Sequence, residues 1–231
     1  MSAGDHQPVT WQSGSMRVVI AGGHGKIALL LERLLSSRGD TVAGLIRNPS
    51  QAPDLAEAGA TAIVLDLEQA SVADVAAQLE GADVVVFAAG AGPGSGAGRK
   101  QTVDRDAAIL LADAAETAGV HRYVMVSAIS ADDRSLDAGY DPVFLAYIRA
   151  KSEADANVRA RARLQTTIVR PGRLTDDPGT GLVQAAESTG RGSISRQDVA
   201  TVLLAVLDAP GTAGRTFEVI SGNTPISSAL D

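Results

Sequence analysis

The stretch Arg17-Val18-Val19-Ile20-Ala21-Gly22-Gly23-His24-Gly25-Lys26-Ile27-Ala28 passes from an apolar run into glycines and then resumes with apolar residues at helical spacing. It reads as a strand, a tight turn and a helix. Glycines at 22, 23 and 25 let the backbone take positive φ and approach a ligand closely, because no Cβ stands in the way. Ile27, Leu30, Leu31 and Leu34 recur with a helical period, so the helix starts at the glycines and points its free N–H groups back toward them. A helix end of that kind attracts a pyrophosphate.

Written out, Gly22-x-x-Gly25-x-x-Ala28 is a form of the dinucleotide fingerprint, with a small third residue that lets helix and strand pack closely. Gly23, Lys26 and Ile27 complete the turn and the first helical residues. His24 sits inside it, either as a phosphate contact or as a plain turn residue. A glycine-rich turn alone is weak evidence for a nucleotide. Here a second apolar run, Val42 to Ile46, follows at the distance that closes a β-α-β unit.

A chain of 231 residues has the size of one α/β domain, and 45% apolar residues suffice for a full core. Only 3% are aromatic, so that core is aliphatic. The sequence has no apolar run of about 18 to 20 residues and no secretory signal pattern at its start, so no membrane contact and a cytoplasmic location are expected. The absence of cysteine excludes disulfides and thiolate catalysis, and a net charge of −7 argues against a nucleic-acid surface. Residues 1–15 are polar and aperiodic, as in a disordered or extended leader, natural or appended. Residues 16–231 are expected to form a single domain.

From Met16 onward, strand-like runs (Val18–Ala21, Val42–Ile46, Ala62–Leu65, Val84–Ala88, Tyr123–Val126, Thr167–Val169) alternate with amphipathic segments near 26–38, 51–58, 71–79, 102–118 and 143–163. That alternation is the signature of a Rossmann-type, doubly wound parallel α/β sheet. Such a sheet places its ligand at the strand ends. Arg47 follows the second strand, where NAD-specific sites carry an acid, and its planar fork suits a 2′-phosphate, which favours NADP(H). Asp66, followed by Leu67, ends the third strand, in reach of an adenine amino group or as a cap for the next helix. Ala88, Ala89 and Gly90 end the fourth, leaving room for the cofactor riboses or simply forming a tight loop.

Asp141 and Pro142 are a good N-cap and first helical residue, so a helix starts there and carries Tyr147 and Lys151 four apart on one face. An ammonium beside a phenol stabilises the phenolate and lowers its pKa, which suits a proton shuttle to a carbonyl or hydroxyl. The alternative is a partly buried tyrosine and a solvated lysine. The three histidines are far apart, without partners at ligand spacing, so no metal site is expected. The polar segment 131–140 is either a lid over the substrate or a surface loop.

Together with Val124-Met125-Val126-Ser127, Val169-Arg170-Pro171-Gly172-Arg173-Leu174 and Ser195-Arg196-Gln197-Asp198-Val199-Ala200, these residues resemble the short-chain dehydrogenase/reductase superfamily, in its atypical NAD(P)H-binding branch of small epimerase-like proteins. The resemblance spans about Met16 to Leu230. It implies that Gly22, Gly25 and the helix behind them hold the pyrophosphate, Arg47 the 2′-phosphate, Asp66 the adenine and Lys151 the nicotinamide ribose. Tyr147 would be the acid/base, and Pro171 and Gly172 would shape the loop beside the nicotinamide. An active-site serine is expected after the fifth strand, where Ser127 and Ser130 bracket Ala128. Asp104 stands where many relatives have asparagine.

About sixty residues follow Gly172, with a helix over Arg196–Leu207 and a strand over Thr216–Ile220. So short a C-terminal extension predicts a substrate pocket that is shallow or completed by a second subunit, in a monomer or homodimer. The resulting expectation is an NADP(H)-dependent oxidoreductase acting on a small carbonyl, alcohol or quinone-like substrate. The alternatives are a non-catalytic NADP(H) sensor of the NmrA-like kind and a sugar-nucleotide epimerase or dehydratase.

Overall fold

The computed structural model describes residues 14–92, 94–133 and 139–230. Thirteen of the fifteen leader residues, and 134–138 of the polar segment before Tyr140, lie outside them. β1 (Arg17–Ala21), α1 (Lys26–Arg38) and β2 (Thr41–Ile46) form the first β-α-β unit, with β1 and β2 parallel and Val18 opposite Val42. The chain continues through α2 (Ala52–Glu57), β3 (Thr61–Val64), α3 (Val72–Gln78) and β4 (Val84–Phe87). α4 (Ala97–Arg99), a π-helical stretch (Lys100–Asp106) and α5 (Ala107–Ala118) then lead to β5 (Arg122–Val126), α6 (Pro142–Arg159) and β6 (Gln165–Pro171).

β1 lies at the centre, with β2 and β3 on one side and β4, β5 and β6 on the other. The order reverses between β1 and β4, which is where a doubly wound sheet opens a crevice at its carboxyl ends. Both faces are covered, so successive strand residues feed opposite halves of the core. Val18 and Ile20 pack with Leu31 and Leu35 of α1, while Val19 and Ala21 pack with Leu111 and Ala115 of α5. Unbroken apolar runs such as Val84–Phe87 follow from that double burial.

After β6 the structure is richer in strands than the sequence reading expects. β7 (Arg173–Thr175), β8 (Leu182–Ala186), β9 (Ser193–Ser195), α7 (Arg196–Asp208), β10 (Thr216–Ser221), β11 (Thr224–Pro225) and α8 (Ile226–Ala229) complete the chain. β10 joins the main sheet parallel to β6, β8 and β11 extend it antiparallel, and β7 pairs with β9 in a separate two-stranded sheet. β10 is the strand expected over Thr216–Ile220, whereas β7, β8, β9 and β11 are short and partly exposed and carry little of the hydrophobic pattern that marks β1–β6.

Local capping is as the sequence implies for α6, where Asp141 Oδ1 accepts from the N–H groups of Val143 and Phe144 at 2.9 and 3.0 Å. It differs at Asp66. Ser71, not Asp66, caps α3, in a reciprocal box with Asp74, and Asp66 Oδ1 instead accepts from Glu68 N at 3.0 Å in its own turn.

Candidate functional site

The glycine turn is built for close approach. Gly22 has a φ of +81°, and a Cβ on it would stand 2.6 Å from Ala89 Cα. Gly25 caps α1 with no side chain, so the first helical N–H groups are bare. Gly23 plays a different part from that expected of a cofactor contact. Its N–H donates to Leu45 O at 3.0 Å, and a Cβ on it would meet Gly44 Cα at 2.7 Å, so it seats the turn on β2 rather than lining the crevice. Ala28 is fully buried, as a small residue between helix and sheet should be.

Three cavities run edge to edge along the carboxyl ends of the strands. The first, about 380 Å³, is lined by Gly22, His24, Arg47, Asp66, Leu67 and Glu68, among others. Gly25 and Ala88 to Gly90 also line a second, of about 690 Å³, with Lys26, Ile27, Asp104, Ser127, Tyr147 and Lys151. Ser127 and Tyr147 lead on into a third, of about 890 Å³, bounded by Pro171, Gly172 and the β7–β9 sheet. Length alone predicts a pocket here that is shallow or completed by a second subunit. Residues after Gly172 form that small sheet as one wall of the cavity.

The first cavity holds an arginine that sequence reading missed. Arg47 Nη1 and Arg99 Nη2 both reach Glu68 Oε2, at 3.1 and 2.7 Å, and Thr102 donates to Glu68 Oε1 at 2.7 Å. Hydrogen bonds from Arg99 and Thr102 hold the Glu68 carboxyl below its ordinary pKa. Two guanidiniums sharing one carboxylate form the kind of fork that also binds a phosphate. Arg99 lies in a glycine-rich stretch without periodicity, so only its charge marked it. His24 pairs with Asp54 across the mouth, at 2.7 Å.

At the junction of the second and third cavities, Tyr147 is half-buried and has no hydrogen-bond partner among the described residues. Lys151 does not act on it as the helical spacing suggests. Its ammonium is buried, donates to Val126 O at 3.1 Å and stands 3.5 Å from Asp104 Oδ1. Burial above all, then the charges of Asp104 and Asp155, push the Tyr147 phenol above its ordinary pKa, opposite to the expected direction. Lys100, also unanticipated, places its ammonium 5.3 Å from the Tyr147 ring centroid. Ser127 Oγ is buried without a hydrogen-bond partner, whereas Ala128 lines only the third cavity.

Asp155 completes this helix face one turn beyond Lys151. It is fully buried, pairs with Arg170 at 2.7 Å, and burial raises its pKa. Ser130 is the single non-glycine residue with positive φ among the described residues, at 62°. Glu218 of β10 holds it there, accepting from Ser130 N at 3.1 Å. Strain of this kind tends to cluster where a loop must present groups to a ligand. Among the described residues no group of three or more His, Asp or Glu side chains could hold a metal ion.

A Rossmann-like sheet, a bare helix end over a glycine turn and a crevice at the switch point define an NAD(P)H-binding protein of the oxidoreductase and epimerase class. The chain belongs to the family described as NAD(P)H-binding, whose model matches residues 22–210. It is 38% identical to the "Uncharacterized sugar epimerase YhfK" of Bacillus subtilis over 93% of this chain and 99% of that one. It is 37% identical to the UPF0659 protein YMR090W of Saccharomyces cerevisiae, over 91% and 96%. Among solved structures it is similar to a candidate NAD-dependent epimerase/dehydratase from Bacillus halodurans, with a TM-score of 0.86, 36% identity, and 94% and 99% of the two chains covered. The oxidoreductase ylbE from Lactococcus lactis superposes with a TM-score of 0.83 at 26% identity, over 93% and 95%. No helix among the described residues is long and apolar enough to cross a membrane.

Proposed function

We propose that the protein is an NADP(H)-dependent reductase that converts a carbonyl or quinone-like group of a small molecule to the alcohol or quinol. The observation that carries this reading is the placing of Tyr147 and Ser127 on the boundary between the cofactor crevice and the 890 Å³ cavity. The residues fit the dinucleotide: Gly22, at positive φ and packed directly on Ala89, keeps the turn tight, and the α1 N–H groups behind it are uncapped. Gly22, Gly25, Lys26 and Ile27 would hold the pyrophosphate, Ala88 to Gly90 the ribose side, and Asp66 and Leu67 the adenine. Bound NADPH supplies a hydride, two electrons with one proton, to the substrate carbon.

The chain's own part is to hold the substrate oxygen and give it a proton. Ser127 Oγ, beside the buried Asp155 carboxyl, donates a hydrogen bond to that oxygen. Tyr147 Oη passes it the second proton, and solvent restores the phenol. A phenol held above its ordinary pKa stays protonated at neutral pH, which suits the donor role of the reductive direction. Lys151, bound to Val126 O and Asp104, fixes the α6 face against the crevice. Arg47 and Arg99 support NADP(H) over NAD(H), because both can turn from Glu68 to a 2′-phosphate.

Titration with NADPH and NADH, followed by turnover on carbonyl and quinone panels, tests this. Tyr147→Phe should lower kcat by about 10²- to 10⁴-fold with NADPH affinity retained. Unchanged turnover in that variant removes the acid assignment. Tight NADPH binding with no turnover on a broad panel would favour a cofactor sensor instead.

A further inference from the structure

The third cavity has a composition unlike the rest of this chain. The protein carries only three Tyr and three Phe, yet Tyr140, Phe144 and Tyr147 stand together on one wall. Their rings form a continuous series, with centroids 5.7 Å apart for Tyr140 and Phe144 and 6.4 Å for Phe144 and Tyr147. Tyr140 and Phe144 are 38% and 39% exposed, so both rings present apolar surface to the cavity. An aromatic wall of this length matches the flat face of a ring system.

Opposite polarity is supplied by two arginines. Arg173 of β7 and Arg191 before β9 line the same cavity and are held together by the bond from Arg173 N to Gly192 O, at 2.9 Å. Arg191 donates to a neutral partner, Tyr140 Oη, at 2.9 Å. The Arg173 guanidinium has no ion-pair partner among the described residues. Arg196 differs, because Asp176 neutralises it at 2.6 Å. Asp133 is the one carboxylate among the described residues lining this cavity. In a chain of net charge −7, two guanidiniums over a cavity with no carboxylate partner among the described residues make a local anion site.

We infer that the substrate is a planar aromatic or conjugated molecule bearing an anionic group, carboxylate or sulfonate-like, with its rings on Tyr140 and Phe144 and its charge at Arg173 and Arg191. The reducible carbon then faces Tyr147, at the end of the aromatic series nearest the cofactor crevice. Gly172 and Gly192 keep the arginine wall thin. A Cβ on Gly172 would meet Gly192 O at 2.5 Å, and one on Gly192 would meet Ile220 Cδ1 at 2.8 Å. The inference rests on the reductase reading only for turnover, since binding is read independently.

The test compares 1,4-naphthoquinone-2-sulfonate with uncharged 1,4-naphthoquinone. Binding to the full protein saturated with NADP+ is measured by calorimetry, and NADPH oxidation is measured with each quinone. The wild type should bind the sulfonate about tenfold or more tightly than the neutral quinone, with the gap narrowing as salt is raised. Arg173→Ala and Arg191→Ala should each reduce that preference several-fold, while NADP+ affinity reports that the fold is intact. Equal affinity for the two quinones, binding of neither, or a preference that survives loss of both arginines would overturn the inference. Selective sulfonate binding without NADPH oxidation supports the ligand class and refutes the reductase reading.

Discussion

Glu32 offers the sharpest test of how the dinucleotide turn is supported. It sits in α1 with no exposed surface, and neither carboxyl oxygen has a hydrogen-bond partner. Its Oε1 lies where a Cβ on Gly44 or Gly23 would come within 2.7 or 3.1 Å, so the carboxyl is wedged directly beneath the turn. Burial pushes its pKa from 4.5 up to about 8, against a small opposing pull from Arg33. At neutral pH the group is therefore a neutral acid in the folded protein and a carboxylate in the unfolded chain.

The sign follows from proton counts. Between pH 4.5 and 8 the native state holds a proton that the unfolded state has lost, so stability is complete below about 4.5 and falls as pH rises. Each pH unit in that window is worth about 1.4 kcal/mol, so the loss approaches ~5 kcal/mol by pH 9, a large part of a typical domain's stability. Urea midpoints measured at half-unit steps from pH 5 to 9, for the wild type and Glu32→Gln, read this directly. The glutamine keeps the shape and removes the titration, so its curve should lack that decline. Asp155, also raised by burial, titrates in both proteins and cancels in the difference. Parallel pH profiles for the two proteins would refute the reasoning. NADPH affinity should weaken above pH 8 in the wild type alone, because a carboxylate then lies under the pyrophosphate turn.

Other expectations are as direct. Glu68→Gln should raise the preference for NADPH over NADH about tenfold, and Arg99→Ala should lower it, since Glu68 occupies the same two guanidiniums a 2′-phosphate would use; paired fluorescence titrations decide this. Because the Tyr147 phenol is raised, the log of kcat for reduction should show no downward limb from it between pH 6 and 9 in a stopped-flow pH profile. Gly22→Ala, strained at +81° and blocked by Ala89, should cost about 1–3 kcal/mol in urea unfolding and most of the NADPH affinity. Asp141→Ala removes the α6 cap and should cost about 1 kcal/mol, or a Tm shift of about 2–4 °C.

The parallel core was legible because each of its elements repeats one signal along a long enough run. β1 to β6 are apolar strands between amphipathic helices, and their positions agree with the reading to within one or two residues. After Gly172, β10 was legible as the strand expected over Thr216–Ile220, but β7, β8, β9 and β11 were not. β7 and β9 are three residues each, and β8 has two exposed positions in five, too little for periodicity to register. Tyr147, Ser127, Asp104 and Lys151 are brought together at one crevice, but spacing along α6 could not reveal that the Lys151 ammonium turns to Val126 and Asp104. Side-chain direction at that point is set by β5 and by the segment before α5, neither of them near Lys151 in sequence.

That segment explains why one helical run serves both ends of the crevice. Sequence periodicity through Val103, Ala107, Leu111 and Ala114 suggests a single helix over 102–118, yet the chain is π-helical from Lys100 to Asp106 and α-helical only afterwards. A π turn spends an extra residue, so side chains upstream of it rotate relative to the α-helical face that packs on the core. The core face keeps its register through Ala107, Ala108 and Leu111, all buried against β4 and β5. The freed residues reach outward in two directions. Arg99 and Thr102 meet Glu68 at the Arg47 end of the crevice, while Lys100 and Asp104 meet Tyr147 and Lys151 at the other. Apolar periodicity reports only what the core requires of a helix, and here the residues that the core does not constrain are the ones that face the crevice.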